Sequence, residues 1–353
     1  MAQIDSFLEE LVQRRGSDLH FIAGDPPRIR LHGELSPLRG DILSAEFVKT
    51  TLYEILSKKA VERFESKDGA DFAYTLADKG RFRVNVMRQL NGMGAVFRAI
   101  PSKALTLDQL NMPNSVRQLC RANNGLILVT GKTGSGKSTS LAAMIDDINK
   151  RIKGHILTVE DPIEFVHPRQ RCLISQREIG VHSPSFAAAL HSALREDPDV
   201  ILIGELRDLE TMSIAVTAAE MGILVMGTLH TNGAAQTVDR MVNAFPSDKQ
   251  SHVRTMLSTS LRGVISQQLL RRSDASGRVA ALEILINTPA AANLIRQGKL
   301  DQLENTMQAG GAFGMRTMDS AIQQLLDAGT IDGAEAYKKA INKARFEALK
   351  DQH

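Results

Sequence analysis

The sequence contains no tryptophan, only three tyrosines and two cysteines in its 353 residues. With few aromatic stacking platforms and a net charge of only +3, its composition is not typical of proteins that bind single-stranded nucleic acid. Cys120 and Cys172 lie far apart and match no metal-ligand spacing, so two reduced thiols are expected. No apolar run approaches the roughly 20 residues that a transmembrane helix needs. We therefore predict no direct nucleic-acid partner and no membrane span.

The start of the chain, MAQIDSFLEELVQRRG, is acidic and amphipathic. It lacks the basic start and the apolar segment of a secretory signal peptide, so the protein is expected to be cytoplasmic. The hydrophobic fraction of 43% and the charged fraction of 24% are those of a globular protein. At about 100–200 residues per domain, the chain has room for two domains with separate cores.

Residues 1–98 are predicted to form a small α+β domain. A helix with one apolar stripe is expected over residues 3–15, followed by strands in SDLHFIA and RIRLHGEL around the turn GDPP. The alternating segments DFAYTL, GRFRVNVMRQL and GAVFRAI predict antiparallel strands joined by Gly or Asn-Gly turns. Residues 99–124 are predicted to be a linker with a short helix.

From residue 125 the pattern changes to strands that alternate with helices. Four short apolar runs, LILVT, HILTVE, DVILIGE and GILVMGTLHT, predict a parallel sheet with helices on both faces. Ligands of such sheets bind at the carboxyl ends of the strands. The predicted α/β core spans residues 125–280, and residues 281–353 are predicted to be a mainly helical region.

The segment GKTGSGKS fits the G-x-x-x-x-G-K-[ST] pattern of a phosphate loop. In such a loop, glycines let the backbone wrap a polyphosphate, Lys137 reaches the β- and γ-phosphate oxygens, and Ser138 ligates Mg²⁺. An apolar strand precedes the segment and a helical pattern follows it, which is the required context; an ordinary glycine turn is the alternative. The residues predicted to bind nucleotide are Gly131, Thr133, Gly134, Ser135, Gly136, Lys137, Ser138 and Thr139.

Two acidic residues follow predicted strands at the same edge of this sheet. Glu160, with Asp161 beside it, could orient or deprotonate an attacking water or complete the Mg²⁺ shell, and a solvated turn is the alternative. Glu205 follows Gly204, at the position where many phosphate-loop enzymes have an aspartate that holds Mg²⁺ through water. The longer glutamate side chain can still reach the water shell of the metal. Glu205 is therefore a candidate catalytic and metal-binding residue, and an acid that only terminates the strand is the alternative.

His230 ends the fourth predicted strand, in the segment GILVMGTLHTNGAA. A histidine at this edge could hydrogen-bond the γ-phosphate, or the groups around it, and so distinguish ATP from ADP. A histidine that is satisfied within the core is the alternative. Because two other motif-bearing strands point to the same edge, we favour the sensor role.

Four segments in this order, GKTGSGKST, TVEDPIEF, DPDVILIGELRDLET and TLHTNGA, resemble the phosphate loop, aspartate box, Walker B-like segment and histidine box of the type II/type IV secretion ATPases. Within that family, the whole chain is similar to the retraction ATPases of type IV pili, the PilT and PilU group. The segments GSDLHF and GRFRVNV…GAVFRAIPSK at the front and TPAAANLIRQGK near the end also match.

The resemblance implies a ring hexamer in which a PAS-like N-terminal domain and a RecA-like domain close on ATP and Mg²⁺. It places Arg83 and Arg98 at the phosphates, with Arg81 as a further candidate, and it gives Arg195 a part in completing the site. In the segment GRFRVNV, Arg81 and Arg83 project from one face of the predicted strand. A solvated sheet face is therefore the alternative for these arginines.

The chain departs from the family pattern at several positions. Lys132 and Ile223 stand where the family commonly has proline and histidine, and neither change removes a phosphate ligand. Ala292 and Gln297 replace an arginine and a glutamate of the retraction motors, and these replacements favour an accessory, PilU-like role over independent retraction. The larger N-terminal region and the four-cysteine zinc site of the assembly ATPases are not found in this sequence, which argues against pilus extension.

The expected function is a hexameric motor ATPase that retracts a type IV pilus from the cytoplasmic face of the inner membrane. The expected partners are further copies of the chain, the inner-membrane platform protein of the pilus machine and a paralogous retraction ATPase ring. The alternatives are a type II secretion or DNA-uptake motor, and a nucleotide-gated assembly subunit that hydrolyses little ATP. The presence of Lys137, Glu160 and Glu205 argues against a subunit without hydrolysis.

Overall fold

The computed structural model describes residues 2–31, 33–67, 69–77, 79–101, 104–274 and 277–350. The chain divides into two compact units. Unit 1 comprises Met1–Lys103 with Glu164–Val166, and unit 2 comprises Ala104–Ile163 with His167–His353. Each unit contains hydrophobic clusters of its own.

Unit 1 combines an antiparallel sheet with helices. Its described strands are β1 (Asp18–Ile22), β2 (Arg28–Leu31), β3 (Glu34–Pro37), β4 (Gly69–Leu76), β5 (Gly80–Gln89) and β6 (Gly92–Ile100). Its described helices are α1 (Asp5–Gln13), α2 (Ala45–Tyr53) and α3 (Lys58–Lys67). The order across the sheet is β3-β2-β1-β6-β5-β4, and neighbouring strands are antiparallel.

Strand β5 shows how unit 1 forms its core. Phe82, Val84 and Val86 are buried while the residues between them are exposed, which is the period of two of a half-buried strand. On α1, Leu8 and Leu11 are buried on one stripe of the helix. These side chains belong to one hydrophobic cluster, which holds the helix against the sheet.

The prediction of a single strand over RIRLHGEL is wrong, because two strands lie there. Gly33 has a φ of 95°, a left-handed conformation that glycine adopts without steric penalty. The chain reverses at this point, and Glu34 of β3 pairs with Leu31 of β2. The resulting hairpin places β3 at the edge of the sheet.

Unit 2 is built around a mixed, mainly parallel sheet. Its described strands are β7 (Gly125–Thr130), β8 (His155–Glu160), β9 (Leu173–Glu178), β10 (Val200–Ile203), β11 (Leu224–Leu229), β12 (Leu261–Arg271) and β13 (Arg278–Ile286). Their order is β13-β12-β7-β11-β10-β8-β9, and neighbours are parallel except β12 and β13. The four predicted strands are the adjacent β7, β11, β10 and β8, so the α/β prediction is confirmed.

Helices cover both faces of this sheet. Leu126 and Leu128 of β7 belong to one hydrophobic cluster, and Ile127 and Val129 belong to another. Burial on both faces explains why these strands have continuous apolar runs. The described helices are α4 (Asn114–Leu119), α5 (Lys137–Arg151), α6 (Phe186–Ala193), α7 (Leu209–Glu220), α8 (Ala234–Asn243), α9 (Ser247–Ser260), α10 (Pro289–Gln297), α11 (Leu303–Ala309), α12 (Met318–Asp327) and α13 (Gly333–Lys339).

Strands β9, β12 and β13 lie in segments where the sequence patterns did not predict strands. The segment LISQRE of β9 is largely polar, and β12 has Ser-Gln-Gln at its centre, so neither has an uninterrupted apolar run. Strand β13 continues the sheet past residue 280, where a mainly helical region is predicted to begin. It pairs with β12 as an antiparallel hairpin, and the described helices α10 to α13 follow it.

Candidate nucleotide site

The carboxyl ends of four parallel strands meet at one edge of the sheet of unit 2. Thr130 at the end of β7 pairs with Leu229 at the end of β11, and β10 lies between β11 and β8. Parallel neighbours bring the segments that follow them to the same edge. Those segments are the phosphate loop and the residues around His230, Glu205 and Glu160.

The phosphate loop, residues 131–138, joins β7 to α5. Gly131, Gly134 and Gly136 have φ values of 141°, 77° and 89°, which residues with a Cβ rarely adopt. Helix α5 begins at Lys137, and its N-cap residue is a glycine that offers no side chain to the N–H groups of the first turn. Free N–H groups at a helix N-terminus bind anions. The loop backbone can therefore bind an anion such as a phosphate group.

The Lys137 ammonium contacts the backbone of its own loop. Its Nζ donates hydrogen bonds to the carbonyl oxygens of Gly131, at 2.8 Å, and Lys132, at 3.3 Å. Burial lowers the pKa of Lys137, and the negative charge of Glu205 acts in the opposite direction. The ammonium and the acid past β10 are thus close enough to interact electrostatically.

The hydroxyl groups of the loop fit a phosphorylated ligand. Ser135 Oγ is buried and has no hydrogen-bond partner among the described residues, a cost that a bound anion would remove. Thr133 and Ser138 are exposed, and Thr139 is partly exposed. Together with the backbone N–H groups and the ammonium, these hydroxyls supply many donors around one short loop.

Glu160 is the last residue of β8 and is only 7% exposed. Its Oε1 accepts hydrogen bonds from Thr158 Oγ1 at 2.7 Å and from Gln176 Nε2 at 3.3 Å. These bonds orient the carboxylate and offset part of the cost of burying it. Because the Glu160 side chain is buried, it does not belong to a solvated turn, which is the alternative that the sequence leaves open.

Glu205, Arg207 and His230 form a cluster past the ends of β10 and β11. Arg207 Nη2 lies 2.7 Å from Glu205 Oε2, and His230 Nε2 lies 3.3 Å from Glu205 Oε1. Asp161 Oδ2, which follows β8, lies 3.9 Å from Arg207 Nη1. The His230 side chain is 44% exposed, so it is not a histidine enclosed in the core.

Gly204 stands where many phosphate-loop enzymes have an aspartate. A Cβ at this position would lie 3.2 Å from Cα of Glu160 and 3.3 Å from the carbonyl oxygen of Val159. A side chain would therefore press against the backbone of β8, the neighbouring strand. Close packing of β10 against β8 accounts for the glycine and leaves Glu205 as the first acid past the strand.

The sequence patterns do not single out Arg207. A basic residue two positions past Glu205, in the segment GELRD, is the available signal. Its ion pair depends on the turn that follows β10, which a linear pattern does not specify. The same holds for Gln176, whose bond to Glu160 depends on the pairing of β8 with β9. Thr158 lies two residues before Glu160 on β8, so the two side chains share one face of that strand.

Arg195 lies just past α6 and is exposed. Its Nη1 donates a hydrogen bond to the carbonyl oxygen of His191 at 3.0 Å. Within the described part of the chain it has no ion pair with Glu160 or Glu205. The structure therefore places Arg195 in unit 2 without bringing it into the acidic cluster.

Arg83 and Arg98 belong to unit 1, whereas the phosphate loop belongs to unit 2. They lie directly opposite each other on β5 and β6, so their side chains share one face of the sheet. Both residues are exposed, and Arg98 Nε donates a hydrogen bond to Asp18 Oδ1 at 2.8 Å. Arg81, on the same strand as Arg83, is partly buried.

Neither a metal cluster nor a membrane span is found in the part of the chain that the structure describes. No group of three or more His, Cys, Asp or Glu side chains there could hold a metal ion. Magnesium at phosphate sites is commonly held by one or two protein ligands, with phosphate and water oxygens as the others. No described helix is long and apolar enough to cross a membrane.

Comparison with known proteins identifies relatives along nearly the whole chain. The type IV pilus retraction ATPase PilT of Pseudomonas aeruginosa is 48% identical over 337 residues, which cover 96% of this chain and 98% of PilT. The type IV pilus ATPase PilU of the same organism is 40% identical over 98% of this chain and 91% of PilU. A crystal structure of the pilus retraction motor PilT with bound ADP superposes with a TM-score of 0.91, at 40% identity, covering 99% of this chain and 100% of that one.

The family model described as type II/IV secretion system protein matches residues 1–333. It covers unit 1, unit 2 as far as residue 333 and all four motifs from the phosphate loop to the histidine box. The resemblance seen in those motifs is therefore confirmed, and the chain belongs to the type II/IV secretion system protein family.

Proposed function

We propose that this protein is a motor ATPase that hydrolyses ATP to retract type IV pili. The observation that carries the proposal is the meeting of the phosphate loop, Glu160, Glu205 and His230 at one edge of a parallel sheet. Similarity to the retraction motor PilT along nearly the whole chain supports pilus retraction as the work performed.

ATP is the proposed substrate and the phosphate loop its proposed site. The loop backbone, Lys137 and the hydroxyls of the loop would bind the phosphates. Ser138 and Glu205 would hold Mg²⁺, which when bound would neutralise charge on the β- and γ-phosphates. A hydroxyl and one carboxylate are a sufficient protein contribution, because Mg²⁺ retains several water ligands.

Glu160 is proposed to orient or deprotonate the attacking water. Its burial and its two hydrogen bonds hold it in place before any substrate arrives, which is the preorganisation that general-base catalysis needs. His230 is proposed to sense the γ-phosphate. A γ-phosphate oxygen would compete with Glu205 for His230 Nε2, so this contact would differ between the ATP and ADP states.

Unit 1 is proposed to be a PAS-like domain and unit 2 a RecA-like ATPase core followed by a helical region. The boundaries proposed from the sequence are 1–98, 99–124 for the linker, 125–280 and 281–353. Because β13 (Arg278–Ile286) completes the sheet, we propose that the core extends to residue 286. Arg83 and Arg98, with Arg81 as a further candidate, are proposed to reach the phosphates when the two domains close. Arg195 is proposed to complete the site in that closed state.

The proposed assembly is a homohexamer at the cytoplasmic face of the inner membrane, in contact with the platform protein of the pilus machine. A paralogous retraction ring is a proposed further partner. An accessory role is the second candidate, since Ala292 and Gln297 of α10 depart from the retraction-motor pattern. The primary and accessory roles can be distinguished in a strain that has no other retraction motor. Labelled pili retract in that strain if this protein is a primary motor and do not retract if it is an accessory motor.

Replacing Lys137 with Ala should lower ATP turnover by about 10²-fold or more, because a fixed positive charge is lost where transition-state charge is spread. The same variant should leave labelled pili that extend but do not retract. Lys132→Ala, at an exposed lysine of the same loop, is the matched control and should retain turnover within a few-fold. A folded Lys137→Ala protein with near wild-type turnover would falsify the assignment of the loop. If labelled pili retract normally in a strain that lacks the wild-type gene of this protein, a secretion or DNA-uptake motor is favoured instead.

Substitutions of Glu160 and Glu205 should differ in their effect on the Mg²⁺ dependence of ATP binding. Glu160→Gln should bind ATP nearly normally but hydrolyse it roughly 10²–10⁴-fold more slowly, as expected for the loss of a general base. Glu205→Gln should also bind ATP less tightly at limiting Mg²⁺, since a ligand of the metal shell is removed. Calorimetric ATP titrations at several Mg²⁺ concentrations measure this difference. If the two variants respond identically to Mg²⁺, the roles are wrongly assigned.

Replacing Arg83 or Arg98 with Ala should leave ADP affinity nearly unchanged, because ADP lacks the γ-phosphate that they would contact. Turnover should fall by up to about 10³-fold, as for arginines that act on the transition state. Lys49→Ala, at an exposed lysine of the same unit, is the control and should change neither value. Unchanged turnover in both arginine variants would mean that this sheet face is merely solvated.

A further inference from the structure

Gln267 lies where β12 passes the start of the phosphate loop. Its neighbour Ser266 pairs with Thr130, the last residue of β7, so Gln267 comes alongside the point where the loop begins. The residue is only 2% exposed. A buried amide at this place needs partners for both of its ends.

Both ends of the Gln267 amide are bonded to the nucleotide-binding segment. Nε2 donates a hydrogen bond to the carbonyl oxygen of Ser135 at 2.6 Å, and Oε1 accepts one from Ser140 Oγ at 2.7 Å. Ser135 belongs to the loop and Ser140 to the first turns of α5. The reverse amide orientation would set two oxygens against each other at Ser135. One side chain thus ties the loop to the helix that follows it.

Two loop glycines accommodate this strand. A Cβ at Gly136 would lie 2.7 Å from Gln267 Nε2, and a Cβ at Gly131 would collide with the carbonyl oxygen of Gln267. The absence of side chains at these positions is therefore what lets β12 approach the loop so closely. The contact therefore depends on the glycines of the loop, and Gln267 makes it as a buried residue.

The bond to Ser135 also fixes the direction of a loop N–H group. The carbonyl of Ser135 and the N–H of Gly136 belong to one planar trans peptide unit, in which they point in opposite directions. Because the carbonyl points to Gln267, the N–H of Gly136 points away from β12. An N–H group held in this way loses less conformational entropy when it binds an anion.

We propose that Gln267 is a positioning residue that holds the phosphate loop in its phosphate-binding conformation. The proposal rests on the proposed function, since it concerns the same site. Glutamine suits this place because its amide supplies a donor and an acceptor in one neutral group. Glutamate would lose the donor to Ser135 and add a negative charge beside the phosphates. Leucine would leave both loop partners unpaired.

The test compares Gln267→Glu and Gln267→Leu with the same two substitutions at Gln268, whose side chain points to the opposite face of β12. ADP affinity is measured by calorimetry, and hydrogen exchange is measured without nucleotide. Both Gln267 variants should bind ADP about tenfold or more weakly, because at least one buried hydrogen bond is lost. Exchange should rise over residues 131–140 and stay unchanged in β12 and β13. The Gln268 variants should bind ADP within about twofold of the wild type.

Ser140→Ala provides an independent variant if the Gln267 proteins do not fold. It removes only the hydroxyl that orients the amide, and it should weaken ADP binding about twofold to tenfold. If ADP affinity is unchanged in these variants, the proposal is overturned. It is also overturned if ADP affinity falls while hydrogen exchange rises throughout unit 2, because that result would mean that Gln267 is a purely structural residue. If the wild type itself does not bind ADP, the proposed function fails, and that result is distinct from failure of the variants to differ.

Discussion

The parallel pairing of β7, β11, β10 and β8 is the constraint on which the rest of the site depends. Nearly every residue of these strands is buried under helices on one face or the other, so a one-residue shift of register would turn each side chain to the opposite face and break its packing. The sheet therefore holds its strand ends at one edge. Through that edge, segments from distant parts of the chain supply an ammonium, two carboxylates and an imidazole to one place.

Close packing at this edge also determines which side chains are available there. Gly204 lies against the backbone of β8, so the acid past β10 is Glu205 and not an aspartate one position earlier. On the other side of β7, Gln267 occupies the space that glycines of the loop leave open. The site thus takes its shape from contacts between strands as much as from the residues that face a ligand.

The features of the site that were predictable from the sequence are those that local patterns encode. The phosphate loop could be predicted because its glycines and Lys137 lie within eight consecutive positions, and the central strands because burial on both faces produces continuous apolar runs. The partners of the acids could not, since Arg207 and Gln176 reach them only through a turn and a strand pairing. Strand β12 could not be predicted because its apolar run is interrupted by Ser-Gln-Gln. Gln267 of this polar centre bonds to the phosphate loop, a contact that no periodicity in the sequence reveals.

We propose that the loop after β7 binds the phosphates of a nucleotide whose hydrolysis drives the motor. A crystal or cryo-electron microscopy structure with Mg²⁺ and a non-hydrolysable ATP analogue tests it most directly. We expect density for the phosphates against residues 131–139, with Lys137 Nζ moved from the carbonyl oxygen of Gly131 to a phosphate oxygen. Density for the nucleotide elsewhere, with Lys137 still bonded to Gly131, would contradict it.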